Sequence, residues 1–148
     1  MNVYFDSGAL VKLYVKEHHS EEVITIAYRE KQIFISQLHE LEIKNALRAQ
    51  CGRGAILEEE CEKAISAFNE DVEERRLKLL YPDWNSIYGK AEELSNMHTV
   101  DILCRAIDIL HVASAVFFSS SLFVTGDKRQ ATLASEAGLD VSLIGGEK

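Results

Sequence analysis

Four carboxylates stand where the surrounding residues give least reason for a charge. Asp6 ends an apolar, β-favouring run, Val3-Tyr4-Phe5, and Asp127 follows another, Leu122-Phe123-Val124-Thr125, with only Gly126 between. Glu42 and Asp108 interrupt helical faces that are otherwise apolar: Leu38, Leu41, Ala46 and Leu47 surround the first, and Ile107, Ile109 and Leu110 the second. An isolated buried charge is very costly, so each needs a partner. Taken singly, Asp6 serves as a helix N-cap, and Lys44, Arg48 or Arg105 satisfies a neighbouring acid. Taken together, two acids at strand ends and two on buried faces suit one shared site. Clustered carboxylates repel one another unless a cation sits among them, and hard oxygen donors suit Mg²⁺ or Mn²⁺. One or two such ions activate a water and stabilise in-line displacement at phosphorus. No side-chain nucleophile is then required.

The elements that must position these acids alternate along the chain. Strands are predicted at 3–5, 33–36, 77–81, 122–125 and 141–144. Helices are predicted from Ala9 to Lys16, Ser20 to about Lys31, Leu38 to about Gln50, Leu57 to Glu74, from Asp83 as N-cap to a break at Asn96-Met97-His98-Thr99, then Arg105–Phe118 and Lys128–Ala137. Gly52-Arg53-Gly54 and Gly138 mark helix ends, and Pro82 ends the third strand. Strands alternating with helices imply an α/β fold. The expectation is three α/β/α layers around a central, mostly parallel sheet of about four to five strands, covered on both faces. Parallel strands put their carboxyl ends on one edge, so Asp6 and Asp127 are expected to converge there, where open α/β sheets bind ligands.

The chain has 148 residues, 47% hydrophobic and 27% charged, with one proline. That is one ordinary globular domain, 1–148, without linkers, repeats or low-complexity tracts. Three cysteines, Cys51, Cys61 and Cys104, carry no metal-ligand spacing and suit buried thiols in a reducing compartment. No leader and no membrane-spanning run is evident, so a soluble, cytoplasmic protein is expected. The formal charge of −8 weighs against a nucleic-acid partner taken globally; acids gathered at a cation site account for part of it.

Four segments in order, "VYFDSGALVKLYVKE", "ISQLHELEIKNALR", "RAIDILHVASA" and "LFVTGDKRQATLASEAGLDV", resemble the four motifs of the PIN-domain family, specifically its VapC-type ribonuclease toxins. The resemblance spans nearly the whole chain. It implies catalytic, metal-holding roles for Asp6, Glu42, Asp108 and Asp127, with Ser7 and Thr125 in support. It implies an endoribonuclease dependent on Mg²⁺ or Mn²⁺ that cuts single-stranded RNA. Family members often form homodimers and are silenced by a VapB-type antitoxin. One departure is Gly8, where the family commonly has Ser or Thr. A degenerate PIN domain that binds RNA or protein without cutting is the alternative. A phosphatase of the haloacid dehalogenase type would want a second Asp where Gly8 stands.

Lys12, Arg48, Arg105, Lys128 and Arg129 fall near the acid motifs, either to bind an RNA backbone or to pair locally. His39-Glu40 invites a zinc reading, but position 43 is Ile, so HExxH is absent. His111 is expected to pack or hydrogen-bond, His18 and His19 to lie in a surface loop, and Glu40 to be solvated.

Overall fold

The computed structural model describes residues 2–146. In chain order the elements are β1 (Val3–Phe5), α1 (Ser7–Val11), α2 (Ser20–Tyr28), β2 (Ile33–Ile35), α3 (Gln37–Gly52), α4 (Glu58–Glu73), β3 (Leu77–Leu79), α5 (Trp84–Ile102), α6 (Ala106–Phe117), β4 (Leu122–Thr125), α7 (Lys128–Glu136) and β5 (Asp140–Leu143). Helices and strands alternate as expected, and every strand pair is parallel. The strands do not form one sheet, however. Among the described residues they divide into a three-stranded sheet, β1-β4-β5, and a two-stranded one, β2-β3.

This division matches two compact units. One is built from the chain up to Asp6 together with everything from Pro82 onward, the other from Ser7–Tyr81. In the first, β4 is the middle strand, and its Phe123 and Val124 are fully buried. Tyr4 pairs with Phe123 in register and stacks on its ring, with centroids 5.4 Å apart and planes 6° off parallel. The Tyr4 hydroxyl is hydrogen-bonded to His111 Nδ1 at 2.7 Å. A phenol and an imidazole are thus buried together with their polar ends matched, which a core requires of such groups. Ile87, Leu94, Ile109, Val112 and Leu133 complete this core.

The second unit buries Leu10, Val11, Val23, Ile33, Ile35, Ile43, Leu47, Phe68 and Leu77. Tyr14 meets Phe68 edge-on at 5.6 Å. Its hydroxyl donates to Asp71 Oδ2 at 2.6 Å, and Arg76 Nε donates to Asp71 Oδ1 at 2.6 Å. Burial and the bond to Asp71 push the phenol far above its usual range.

Two predicted boundaries and one predicted helix face are corrected. α5 runs unbroken through Asn96–Thr99 to Ile102; that stretch is polar but contains neither Gly nor Pro, and Ala91 and Leu94 anchor the preceding turns in the core. α1 ends at Val11 rather than Lys16, and the following residues form turns. Leu41, placed with the apolar face of α3, is 67% exposed; the buried face is His39, Ile43 and Leu47.

Candidate active site

The parallel pairing of β1 with β4 brings the first acid to its place. The Asp6 N–H donates to the Val124 carbonyl at 3.0 Å, extending the ladder one residue past the strand. Asp6 is thereby seated against Thr125. The Thr125 hydroxyl is fully buried and lies 2.6 Å from Asp6 Oδ2, and 2.7 Å from Gln130 Oε1. It also accepts the Asp127 N–H at 3.0 Å. A hydroxyl has one hydrogen to give, so an ionised Asp6 and the Gln130 carbonyl compete for it.

Asp127 is the N-cap of α7. Its Oδ1 accepts the N–H groups of Arg129 at 2.8 Å and Gln130 at 3.1 Å. A carboxylate there answers two of the helix's orphan donors and sits at the positive end of its dipole. Gln130, 1% exposed, turns its Nε2 toward the Asp108 carbonyl at 3.1 Å. Asp108 itself is half-buried in the first turn of α6. Asp6, through its side chain, and Asp127, through its main-chain N–H, thus meet the same Thr125 hydroxyl at the strand ends.

Beside these groups lies a cleft of ≈250 Å³ lined by Leu103, Cys104, Arg105, Asp108, Asp127, Lys128 and Arg129. Its field is readable at Cys104. Burial raises that thiol to about 11, Asp108 and Asp127 add to the rise, and Arg129 opposes it. At this thiol the two acids and Arg129 act in opposite directions, and Arg105 and Lys128 line the same cleft. Leu103 turns the chain between α5 and α6 at φ 63. A left-handed conformation costs a residue with a Cβ about 1–2 kcal/mol. The turn directs Cys104 and Arg105 into the cleft wall.

In the other unit, Ser7 opens α1 and is buried, and its hydroxyl donates to Glu42 Oε1 at 2.8 Å. Glu42 is half-buried on α3. The same helix begins with a capping box in which the Ser36 N–H donates to Nδ1 of the fully buried His39 at 3.1 Å. That bond gives His39 a helix-capping task. Lys12 donates to the His18 carbonyl at 2.8 Å and pairs with Glu17 at 3.8 Å. Arg48 lines a separate hollow with Cys51, Glu58 and Cys61. Of the five predicted cations, Arg105, Lys128 and Arg129 share the cleft with Asp108 and Asp127; Lys12 and Arg48 are engaged elsewhere in their own unit.

Among the described residues no three His, Cys, Asp or Glu side chains are grouped closely enough to hold a metal ion. Mg²⁺ does not require three: it keeps several waters and is commonly held by one or two carboxylates, and Asp6, Asp108 and Asp127 offer the hard oxygens it prefers. Sequence reasoning missed Gln130. Its signal is a polar amide on the buried face of α7, in line with Ala131, Leu133 and Ala134.

A family model described as the PIN domain matches residues 3–136, and the chain belongs to that family. The crystal structure of FitAcB from Neisseria gonorrhoeae has the same fold, with a TM-score of 0.59 at 15% identity over 94% of this chain and 95% of that one. No curated protein sequence matches significantly. Among the described residues no helix is long and apolar enough to cross a membrane.

Proposed function

We propose that this PIN domain is an endoribonuclease dependent on Mg²⁺ or Mn²⁺, the toxin of a VapBC-type pair, acting on single-stranded RNA in the cytoplasm. The observation that carries the reading is the tie from Asp6 through Thr125 to Asp127, at the carboxyl ends of parallel strands and beside a cleft edged by Arg105, Lys128 and Arg129. Asp6, Asp108 and Asp127 are the acids that hold the cation. What supports counting Glu42 with them is Ser7, next in the chain to Asp6, whose hydroxyl donates to Glu42. The four acids also follow the motif order of the family, and the family match runs across both units, which supports one functional domain.

A bound cation supplies an activated water and charge stabilisation at the phosphorus. The protein's own residues do the rest. Thr125 fixes the rotamer of Asp6, and α7 fixes Asp127 through its cap. Arg105, Lys128 and Arg129 offset the acids and bind flanking phosphates; Lys12, held by the His18 carbonyl and Glu17, and Arg48, set beside another hollow, extend that role more weakly. A VapB-type antitoxin and a second copy of the chain are the expected partners, consistent with the resemblance.

The test is direct. Purified protein with Mg²⁺ or Mn²⁺ cuts single-stranded RNA, and a chelator, Asp6→Asn or Glu42→Gln each abolishes cleavage. Cleavage that persists in Asp6→Asn refutes the site. A wild-type protein that binds RNA but never cuts it, with either metal, establishes instead the degenerate binding module.

A further inference from the structure

We infer that Gln130 is a positioning residue: its buried side-chain amide and its main-chain N–H lock the supports of Asp6, Asp108 and Asp127 into one frame, and so set the affinity of the site for a divalent cation. The inference rests on the metal-dependent reading above.

Gln130 bonds to the Asp127 carboxylate directly, to the main chain of Asp108, and to Thr125, which in turn meets Asp6. Its backbone N–H donates to Asp127 Oδ1 at 3.1 Å. Its Oε1 lies 2.7 Å from the Thr125 hydroxyl, which is 2.6 Å from Asp6 Oδ2. Its Nε2 donates to the main-chain carbonyl of Asp108 at 3.1 Å. A carbonyl only accepts, so the amide cannot turn over without setting two acceptors against each other. One orientation is therefore enforced, and it spans the first turns of α6 and α7 and the end of β4.

Packing alone does not account for the amide. The neighbouring buried residues of α7 are Ala131, Leu133 and Ala134, and Leu or Met fills such a position with no polar group to desolvate. A residue that breaks the local apolar rule, yet has both ends of its amide bonded, is of the kind found where function sets the choice. Outer partners of metal ligands orient them, and losing one weakens metal binding by roughly 10–100-fold.

The test measures Mn²⁺ binding to the full chain by isothermal titration calorimetry, without RNA. Gln130→Met keeps the volume and loses both side-chain bonds; it weakens Mn²⁺ binding about 10-fold or more and keeps the wild-type circular dichroism spectrum. Leu133→Ala, on the same buried face, destabilises the protein without changing Mn²⁺ affinity. Wild-type protein that takes up no Mn²⁺ overturns the metal-dependent reading and this inference with it. Binding by Gln130→Met within twofold of wild type, or equal weakening by Leu133→Ala, overturns the role of Gln130 alone. Should Gln130→Met not fold, the wild-type nuclear magnetic resonance spectrum decides. The Gln130 side-chain amide resonances then shift through a Mg²⁺ titration with the same midpoint as the Asp127 amide; resonances that stay unmoved while Asp127 shifts refute the inference.

Discussion

Thr125→Val is the sharpest test of the hydrogen-bonded frame at the strand ends. Valine matches threonine in shape and in β preference, so the substitution removes the hydroxyl and little else. The hydroxyl is fully buried and serves three neighbours: Asp6 Oδ2 at 2.6 Å, Gln130 Oε1 at 2.7 Å and the Asp127 N–H at 3.0 Å. Its single hydrogen gives one full donated bond, and it accepts one more. Gln130 is 1% exposed, so its Oε1 has no water to turn to; a buried acceptor left unmade costs about 1–3 kcal/mol. The Asp127 N–H borders solvent and loses an ordinary bond of about 1 kcal/mol. The expected destabilisation is about 3 kcal/mol, and a chain of this length loses roughly 2–4 °C of melting temperature per kcal/mol. Thermal and urea unfolding of the metal-free protein measure it, with Thr125→Ser as the control that keeps the hydroxyl and most of the stability. A Thr125→Val protein within about 0.5 kcal/mol of wild type, the scatter of ordinary neutral substitutions, refutes the claim that this hydroxyl joins the acids.

Asp6→Asn has the opposite sign. Its Nδ2 donates to the Thr125 hydroxyl oxygen and leaves the hydroxyl hydrogen to Gln130, so the metal-free variant is more stable by about 1 kcal/mol while cleavage is lost; a lower melting temperature contradicts the hydrogen count. The Cys104 thiol, raised to about 11 against an ordinary 9.0, ionises later in the folded than in the unfolded chain. Stability therefore declines as pH rises from about 9 to 11, and Cys104→Ser removes that part of the decline in pH-dependent melts. At pH 8 iodoacetamide modifies the half-exposed Cys51 well before Cys104, as mass spectrometry of the peptides checks. Leu103→Gly relieves the left-handed turn and raises stability by about 0.5–1 kcal/mol, read by urea unfolding. Lys128→Gln lowers the slope of log affinity for single-stranded RNA against log salt by about 0.7, the share of one phosphate contact; a slope unchanged within error removes Lys128 from the interface.

The parts of the site that rest on local pattern were legible in the sequence. A β-favouring run followed by Asp marks both strand ends, and the order of elements follows from alternating periodicities. That both acids stand on one edge follows from parallel strands, whereas the direct pairing of β1 with β4 is seen only in the folded chain. What periodicity does not carry is which strands share hydrogen bonds: β2 and β3 have the composition of the other strands yet pair apart from them. Apolar residue type alone does not reveal the buried face of α3, because Leu41 and Glu42 are adjacent and a helix buries only one side of such a pair; His39, an unpromising core residue by type, takes a buried place with its ring bonded to Ser36. Gln130 escaped notice because its meaning lies in two partners, Thr125 and the Asp108 carbonyl, that only the folded chain brings to it.

The partnership of Asp6 with Thr125 spans a sequence separation of 119 residues. Translation adds about 5–20 residues per second, so a nascent chain displays Asp6 on the order of ten seconds before Thr125 exists. The Ser7–Tyr81 unit is continuous and has all its strands early, whereas the sheet β1-β4-β5 waits for the last part of the message. Pairings of such long range are slow to form. A ribosome-bound chain, or one truncated before β4, therefore carries the first acid without the residues that orient it. The completed fold, rather than the presence of the acid, sets the moment at which the strand-end frame comes into being.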